Sequence, residues 1–162
     1  KWLFNIEAEK IDVLIHPQTK IPSMAAFSDA SVKAQLGVPD MKVPIQYAVT
    51  YPDRVGSDFP RLEFKHVKNL TFEQPDFEKF ECLKITYDVI KSGGSYPIVL
   101  NGANETAVEL FLNQKIRFTD IPALIRGALD KHENNIMPTL ENIVEIDSWS
   151  REFVRKKSAK AA

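Results

Sequence analysis

The chain has 162 residues, 44% of them hydrophobic and 27% charged, and its formal net charge is -1. A composition of this kind is typical of a soluble globular protein, and the length allows one ordinary hydrophobic core or two small ones. The near-zero charge gives no indication of a nucleic-acid or anionic-membrane partner, and no apolar run approaches the roughly 20 residues that cross a bilayer.

Strands are the first predicted elements. Ile11–Ile15 is mostly apolar and β-branched, which is typical of a central strand buried on both faces, and Pro17 follows its end. A second strand is expected from about Ser23 to Phe27, and residues 31–36 return as a third after a tight turn at residues 28–30. These strands cannot enclose a core alone, so further strands are expected upstream of them.

A turn fixed by proline follows the third strand. Pro39 and Pro44 flank an exposed Asp40-Met41 step, and a helix is predicted from Val43 to Thr50. Such a turn holds its tip residues rigidly and facing outward, which suits the wall of a ligand site. An ordinary connection between a strand and a helix has the same pattern.

The next part of the chain has no regular periodicity. Residues 53–75 contain Gly56 and Pro60 and only short apolar pieces, so they are expected to connect two domains. Beyond them, apolar residues recur every three or four positions. This spacing predicts one helix ending at Gly93-Gly94 and a second ending near Asn113. The only cysteine, Cys82, lies on the first of these helices as a predicted buried, inert thiol, and a single cysteine excludes an internal disulfide.

The C-terminal part is predicted to be helical as well. Thr119 is the expected N-cap of a third helix, Thr139 that of a short fourth helix, and Asp147 that of a fifth. Basic residues near the end of the chain suit the C-terminal dipole of the last helix, so they are expected to stabilise that helix and not to form a binding patch. They are Arg151, Arg155, Lys156 and Lys157.

Several short motifs follow one another in an order that matches one enzyme family. They are His16-Pro17-Gln18-Thr19, Ser23-Met24, residues 34–45, Tyr51-Pro52-Asp53-Arg54-Val55, Leu70-Thr71-Phe72, Cys82-Leu83-Lys84, residues 100–105 and residues 116–121. In these motifs the chain resembles 1-deoxy-D-xylulose 5-phosphate reductoisomerase, and the resemblance covers essentially the whole sequence. Each motif alone is weak, but the ordered set is specific.

The resemblance implies that this is the C-terminal portion of a longer protein. The chain begins with Lys1, and Trp2-Leu3-Phe4 resembles the cut end of a helix. The expected fold class is α+β, a fragment of a mixed-sheet catalytic domain with about three strands and a helix. Residues 1–52 would belong to that domain, residues 53–75 would be a linker, and residues 76–162 would form a C-terminal helical bundle.

The family reaction, as the resemblance implies it, rearranges a ketose phosphate and then reduces the product with hydride from NADPH. A divalent metal, Mg or Mn, chelates the substrate oxygens as a Lewis acid. The metal-binding carboxylates and the phosphate-binding residues of the family lie in segments before this chain. No catalytic residue and no metal ligand is therefore expected here, and the chain alone is expected to be inactive.

One part of the family's site remains within this chain. The resemblance assigns Pro39, Asp40 and Met41 to the wall of the substrate and cofactor pocket. Residues of possible supporting importance are His16, Ser23, Asn101, Asn104 and Glu105.

One departure from the family pattern matters. Pro22 stands where many family members have a histidine, so any contact that this histidine makes is absent here.

Glu7, Glu9 and Asp12 could supply metal oxygens, yet their spacing matches no metal loop and predicts an exposed charged turn.

The leading interpretation is thus part of an NADPH-dependent reductoisomerase of the non-mevalonate isoprenoid pathway. Its expected partners are a small sugar phosphate and, in the full-length protein, a second copy, with neither nucleic acid nor membrane. The expected location is the bacterial cytoplasm, with a plastid as the alternative. The competing interpretation is a non-catalytic helical interaction module that shares ancestry with the family but has lost the chemistry.

Overall fold

The computed structural model describes residues 4–159. Their contacts divide the chain into two units, one formed by Val13–Pro75 and the other by residues 4–12 together with residues 76–159. The helix end predicted at Trp2-Leu3-Phe4 lies mostly outside the described residues. In the part that is described, helices accompany one two-stranded antiparallel sheet, so the α+β class is confirmed.

The sheet is a hairpin in the unit Val13–Pro75. Strand β1 (Ser23–Ala26) pairs with β2 (Val32–Gln35), with Ser23 opposite Gln35 and Ala26 opposite Val32. At the turn, the Asp29 carboxylate accepts hydrogen bonds from the backbone N–H of Ser31 (2.9 Å) and from its hydroxyl (2.6 Å). Both strands and the turn confirm the prediction.

The strand predicted at Ile11–Ile15 is wrong. The N–H of Ile11 donates to Ala8 O (3.1 Å) in a 3-10 turn, and the Ile11 carbonyl accepts from the Tyr87 hydroxyl (2.9 Å). Farther along, Ile15 forms a single bridge with Glu73. The β-branched run has a high strand propensity, but a strand also needs a partner, and among the described residues only Glu73 pairs with it.

Helix α1 (Lys42–Thr50) follows the hairpin, as predicted. Residues 53–75 are irregular except for a 3-10 turn at Phe64–His66, which confirms the loss of periodicity there. Their assignment as an interdomain connection stays a prediction. Pro75 is the one buried residue of the unit Val13–Pro75, so this unit has no hydrophobic core of its own.

The second unit is a helical bundle with its own core. Its helices are α2 (Glu81–Ser92), α3 (Tyr96–Leu112), α4 (Ile121–Lys131) and α5 (Leu140–Ala159). All four helices contribute to one buried cluster, in which α3 packs against the other three. The buried side chains are Ile85, Val89, Val99, Ala103, Ala107, Ile121, Leu124, Ile125, Ala128 and Val154.

Two predicted caps of the bundle are wrong and one is confirmed. The N-cap of α4 is Asp120, not Thr119, because residues 118–120 form a 3-10 turn in which the Asp120 carboxylate accepts from the Arg117 N–H (2.9 Å). Asp147 lies inside α5, which is one continuous helix where two were predicted. The hydroxyl of Thr139 accepts the Asn142 N–H at 3.3 Å and caps this helix as predicted.

Three of the four basic residues predicted to stabilise α5 take part in ion pairs, as expected for a helix-stabilising role. Lys156 pairs with Glu152 (2.7 Å) one turn earlier on the same helix, and Arg155 pairs with Glu109 on α3 (3.6 Å). Among the described residues, no helix combines the length and apolar character that crossing a membrane would require.

A close approach between α3 and α5 depends on Gly102. A Cβ placed at this glycine would overlap the Ser150 hydroxyl and would lie 2.9 Å from Asp147 Oδ1. It would also lie 3.2 Å from the Asp147 carbonyl oxygen, which belongs to the backbone of α5 and cannot rotate away. Gly102 therefore sets the distance between the two helices.

We expect Gly102→Ala to destabilise the bundle. Overpacking costs about 1–3 kcal/mol and exceeds the gain of about 1 kcal/mol that alanine gives inside a helix. Urea unfolding followed by far-UV circular dichroism would measure the loss. Gly37→Ala is the matched control, because a Cβ at Gly37 meets no atom within 4 Å. Equal stability of the two variants would contradict the packing argument.

Candidate functional site

The turn between β2 and α1 is closed by its own hydrogen bonds. The N–H of Asp40 donates to the Val38 carbonyl (2.8 Å), and the Asp40 carboxylate accepts the N–H of Lys42 (2.9 Å). The carbonyl of Met41 then accepts the N–H of Ile45 (3.2 Å), which begins the helix. The backbone of residues 38–42 is therefore fixed on both sides of Met41.

The side chain at the centre of this turn is left uncovered by the described part of the chain. Met41 is 70% exposed although it is a large apolar residue. Pro39 is exposed as well, and its ring fixes its backbone φ angle. The Asp40 carboxylate is directed at the start of α1, and its Oδ2 lies 4.0 Å from the Lys42 ammonium. The turn thus presents an apolar surface and keeps its one charged group bound.

His16 makes the contacts of a structural residue. Its Nδ1 lies 2.8 Å from the Thr71 carbonyl oxygen, and its ring stacks on Phe72 with centroids 4.8 Å apart. The side chain of Gln18 supports the same segment, because its amide nitrogen donates to the Thr71 hydroxyl at 2.8 Å. These contacts hold residues 71–72 against residues 16–18 within the unit Val13–Pro75.

Ser23 opens β1 opposite Gln35 and is exposed. Within residues 4–159, no hydrogen bond or ion pair joins His16 or Ser23 to the turn at residues 39–41. Their support of the pocket stays a prediction.

The polar group on α3 takes part in a network with α5. Asn101 donates to Glu105 (3.2 Å), and Arg151 donates to Glu105 (2.6 Å) and to Asp147 (2.7 Å). The hydrogen bond from Arg151, followed by that from Asn101, holds the pKa of Glu105 below its ordinary value. Asn104 lies beside Asn101 in the groove between α2 and α3. Inside the bundle this network binds two helices together, and any further support that it gives stays a prediction.

Cys82 lies on the wall of the same groove. Its side chain is half-buried, and burial, together with the charge of Glu81, raises the pKa of its thiol. A thiol with a raised pKa is a weak nucleophile because little thiolate is present. This agrees with the predicted inert role.

A buried polar cluster was missed by the sequence analysis. The Ser95 hydroxyl lies 2.6 Å from His132 Nε2 and accepts the N–H of Asn135 (2.8 Å), while the Ser95 N–H donates to Asn134 Oδ1 (3.0 Å). The cluster joins the loop before α3 to the loop after α4. These residues are far apart in sequence and match no motif, so no pattern could have brought them together.

The serine and histidine of this cluster have the distance of a catalytic dyad but not its access. Ser95 is completely buried, so its hydroxyl cannot reach a substrate. The His132 ring also packs against Tyr96 and Trp149, with centroids 5.7 Å away in both pairs. The cluster is therefore a structural clasp between two loops.

The clasp favours a neutral imidazole. Burial lowers the pKa of His132 below its ordinary value of 6.5, and the charge of Glu133 opposes this effect only in part. With a neutral ring whose proton is on Nδ1, the Ser95 hydroxyl donates its hydrogen to Nε2 and accepts the Asn135 N–H.

We expect the contribution of His132 to stability to be lost in acid. Because the folded pKa is lowered, the contribution is complete above the unfolded value of 6.5 and falls as the pH drops toward the folded pKa. The difference in free energy of unfolding between the wild type and His132→Gln should narrow over this range. Urea unfolding across the pH range would measure it, and a difference that stays constant or grows in acid would contradict the expectation.

Known proteins are similar to this chain over nearly its whole length. The family model described as DXP reductoisomerase C-terminal domain matches residues 36–153. A 1-deoxy-D-xylulose 5-phosphate reductoisomerase of Chloroherpeton thalassium is 51% identical over 158 residues, which cover 98% of this chain and 41% of the relative. The enzyme of the same name from Acetivibrio thermocellus is 46% identical, over 96% of this chain and 41% of the relative.

Solved structures of reductoisomerases are similar to this chain as well. The reductoisomerase from Zymomonas mobilis in complex with NADPH matches with a TM-score of 0.88 and 38% identity, over 96% of this chain and 41% of that one. A reductoisomerase in complex with NADPH, fosmidomycin and magnesium matches with a TM-score of 0.89 and 36% identity.

The chain therefore spans 41% of the length of these two curated relatives, and the structural matches cover the same share. The family model covers most of the sequence, and the two curated relatives are similar to nearly all of it. On these grounds the chain belongs to the DXP reductoisomerase C-terminal domain family.

Proposed function

We propose that this chain works as part of an NADPH-dependent reductoisomerase that converts 1-deoxy-D-xylulose 5-phosphate to 2-C-methyl-D-erythritol 4-phosphate. Its family membership and the names of its relatives support this activity. The complexes of similar structures with NADPH, fosmidomycin and magnesium support the cofactor, the metal and a small phosphate-like ligand. Within that enzyme, Pro39, Asp40 and Met41 form one wall of the pocket.

One observation carries the assignment of the wall. Met41 is 70% exposed, yet the backbone around it is fixed by the hydrogen bonds of Asp40 and Ile45. An apolar side chain that is exposed on a rigid turn gains free energy when a ligand covers it. This combination supports a contact surface for a ligand over an ordinary connecting turn.

Met41 would pack against the planar nicotinamide ring. Its thioether is apolar, polarizable and flexible, which suits contact with an aromatic face. When bound, NADPH supplies the hydride, and Met41 excludes water from the ring and helps to orient it. The Asp40 carboxylate binds the start of α1, so it holds the turn and does not move a proton.

The divalent metal would be bound by other parts of the enzyme. Among residues 4–159 there is no group of three His, Cys, Asp or Glu side chains that could hold a metal ion. Glu7, Glu9 and Asp12 belong to the described part and form no such group. The chain would therefore contribute pocket surface, and we expect it to be inactive by itself.

A homodimer and the bacterial cytoplasm belong to the same proposal. Among residues 4–159, each strand of the two-stranded sheet has one edge without a strand partner, and such edges readily pair with another chain. The named relatives come from bacteria, which favours the cytoplasm over a plastid.

We expect Met41→Ala in the full-length enzyme to raise the KM for NADPH about tenfold. Truncation removes most of an apolar contact, and burial of a methionine is worth about 1.5–3 kcal/mol. Steady-state kinetics with NADPH, the sugar phosphate and Mg²⁺ would measure the change. Met41→Leu keeps an apolar side chain of similar volume and should retain most of the affinity.

Met137→Ala is the matched control for this experiment. Met137 is 86% exposed and lies before α5 in the helical bundle, outside the proposed wall. The same truncation there should leave KM and kcat unchanged. Equal effects of the two substitutions, or none at Met41, would contradict the assignment of the wall.

A further inference from the structure

We propose that Tyr47 and Arg54 are positioning residues for the pocket wall, a role that rests on the proposed function. The Arg54 guanidinium lies over the Tyr47 ring, with its Cζ 4.2 Å from the ring centroid. Neither residue belongs to the wall itself. They fix α1, and through it Met41.

Helix α1 cannot hold its own position. It has nine residues, and isolated helices shorter than about 12–15 residues are marginal in water. None of its residues is buried by the described part of the chain, so no hydrophobic core within that part fixes it. Inside the unit Val13–Pro75, individual contacts therefore hold the helix in place.

Met41 moves with α1. It is the N-cap residue of the helix, and its carbonyl accepts the Ile45 N–H in the first turn. Any rotation or shift of the helix axis therefore displaces the Met41 side chain. A displaced Met41 would lose part of its apolar contact with the nicotinamide ring, which weakens NADPH binding and raises the KM for NADPH.

One face of α1 contacts residues 53–55. The Gln46 amide donates to the Val55 carbonyl (2.9 Å), and the Thr50 hydroxyl donates to the Asp53 carbonyl (2.9 Å). These two bonds lie on either side of Tyr47 along the helix. Gln46, Tyr47 and Thr50 are half-buried, whereas the other residues of the helix are exposed.

The stack of Arg54 on Tyr47 lies between these two bonds. In the described part of the chain Arg54 has no carboxylate within ion-pair distance, so its cation is directed to the ring. The edge of the Tyr47 ring also packs against Tyr51, with centroids 5.8 Å apart. A cation over an aromatic face resists sliding of the ring, and this would fix the rotation of α1 about its axis.

The test uses Tyr47→Leu and Arg54→Met in the full-length enzyme. Each removes one partner of the stack and leaves Met41 in place. We expect each to raise the KM for NADPH about two- to fivefold, the range for an exposed cation–π pair, with an unchanged melting temperature. Tyr47→Phe keeps the ring and Arg54→Lys keeps the charge, so both should restore most of the affinity.

Arg61→Met is the matched control. Arg61 is exposed and lies in the same irregular segment, but it does not line the hollow between α1 and residues 54–59. Its substitution should leave KM unchanged. A lower kcat at constant KM together with a lower melting temperature in the Tyr47 and Arg54 variants would indicate a merely structural role and would overturn the proposal.

The double variant Met41→Ala/Tyr47→Leu tests the path of the effect. If Tyr47 acts through Met41, the double variant should be no worse than Met41→Ala alone, and independent multiplication of the two effects would overturn the proposal. A silent Met41→Ala would instead show that the wall itself is wrongly assigned. A raised KM for NADPH in Met41→Ala, with an unchanged KM in the Tyr47 and Arg54 variants, would overturn the positioning role of Tyr47 and Arg54 and leave the assignment of the wall in place.

Discussion

The Asp40 carboxylate accepts a hydrogen bond from the Lys42 N–H and stabilises the start of α1. Helix termini leave backbone N–H groups without intrahelical partners, and a carboxylate at this position satisfies one of them. Because Asp40 is bound in this way, Met41 stands at the first turn of a helix with its side chain exposed. A structural requirement of the backbone thus produces the surface that the proposed function uses.

The two units differ in how they are stabilised. The helical bundle buries ten apolar side chains in one cluster, and its α3 and α5 approach closely at Gly102. Within the described chain the unit Val13–Pro75 buries Pro75 alone, and individual hydrogen bonds and aromatic contacts join its segments. The residues proposed for the pocket wall lie in the unit Val13–Pro75. A single contact there has a larger influence on side-chain position than it has in the helical bundle.

Local sequence patterns predicted the elements that local physics controls. The hairpin with its Asp29 turn, the helix after Met41, and the Thr139 cap all depend on residues within a few positions of one another. The predicted cap at Thr119 is wrong because capping propensity does not reveal that Arg117 holds the Asp120 carboxylate in a 3-10 turn.

Long-range contacts account for the other differences. The run Ile11–Ile15 has strand propensity, but the hydroxyl of Tyr87, which is distant in the sequence, donates a hydrogen bond to the Ile11 carbonyl. Aspartate is a common N-cap residue, yet the Asp147 carboxylate accepts a hydrogen bond from Arg151 within a continuous helix. The clasp of Ser95 and His132 had no sequence signal for the same reason. For the proposed pocket wall, the proline-flanked turn indicated a suitable place, and the resemblance to a family supplied the assignment.

A crystal structure of the full-length enzyme with bound NADPH and Mg²⁺ would test the role of Met41 most directly. If Met41 forms the pocket wall, its side chain lies within about 4 Å of the nicotinamide ring, the distance of apolar contact. It would be contradicted if Met41 were covered by protein away from the cofactor, or remained exposed to solvent with the pocket occupied.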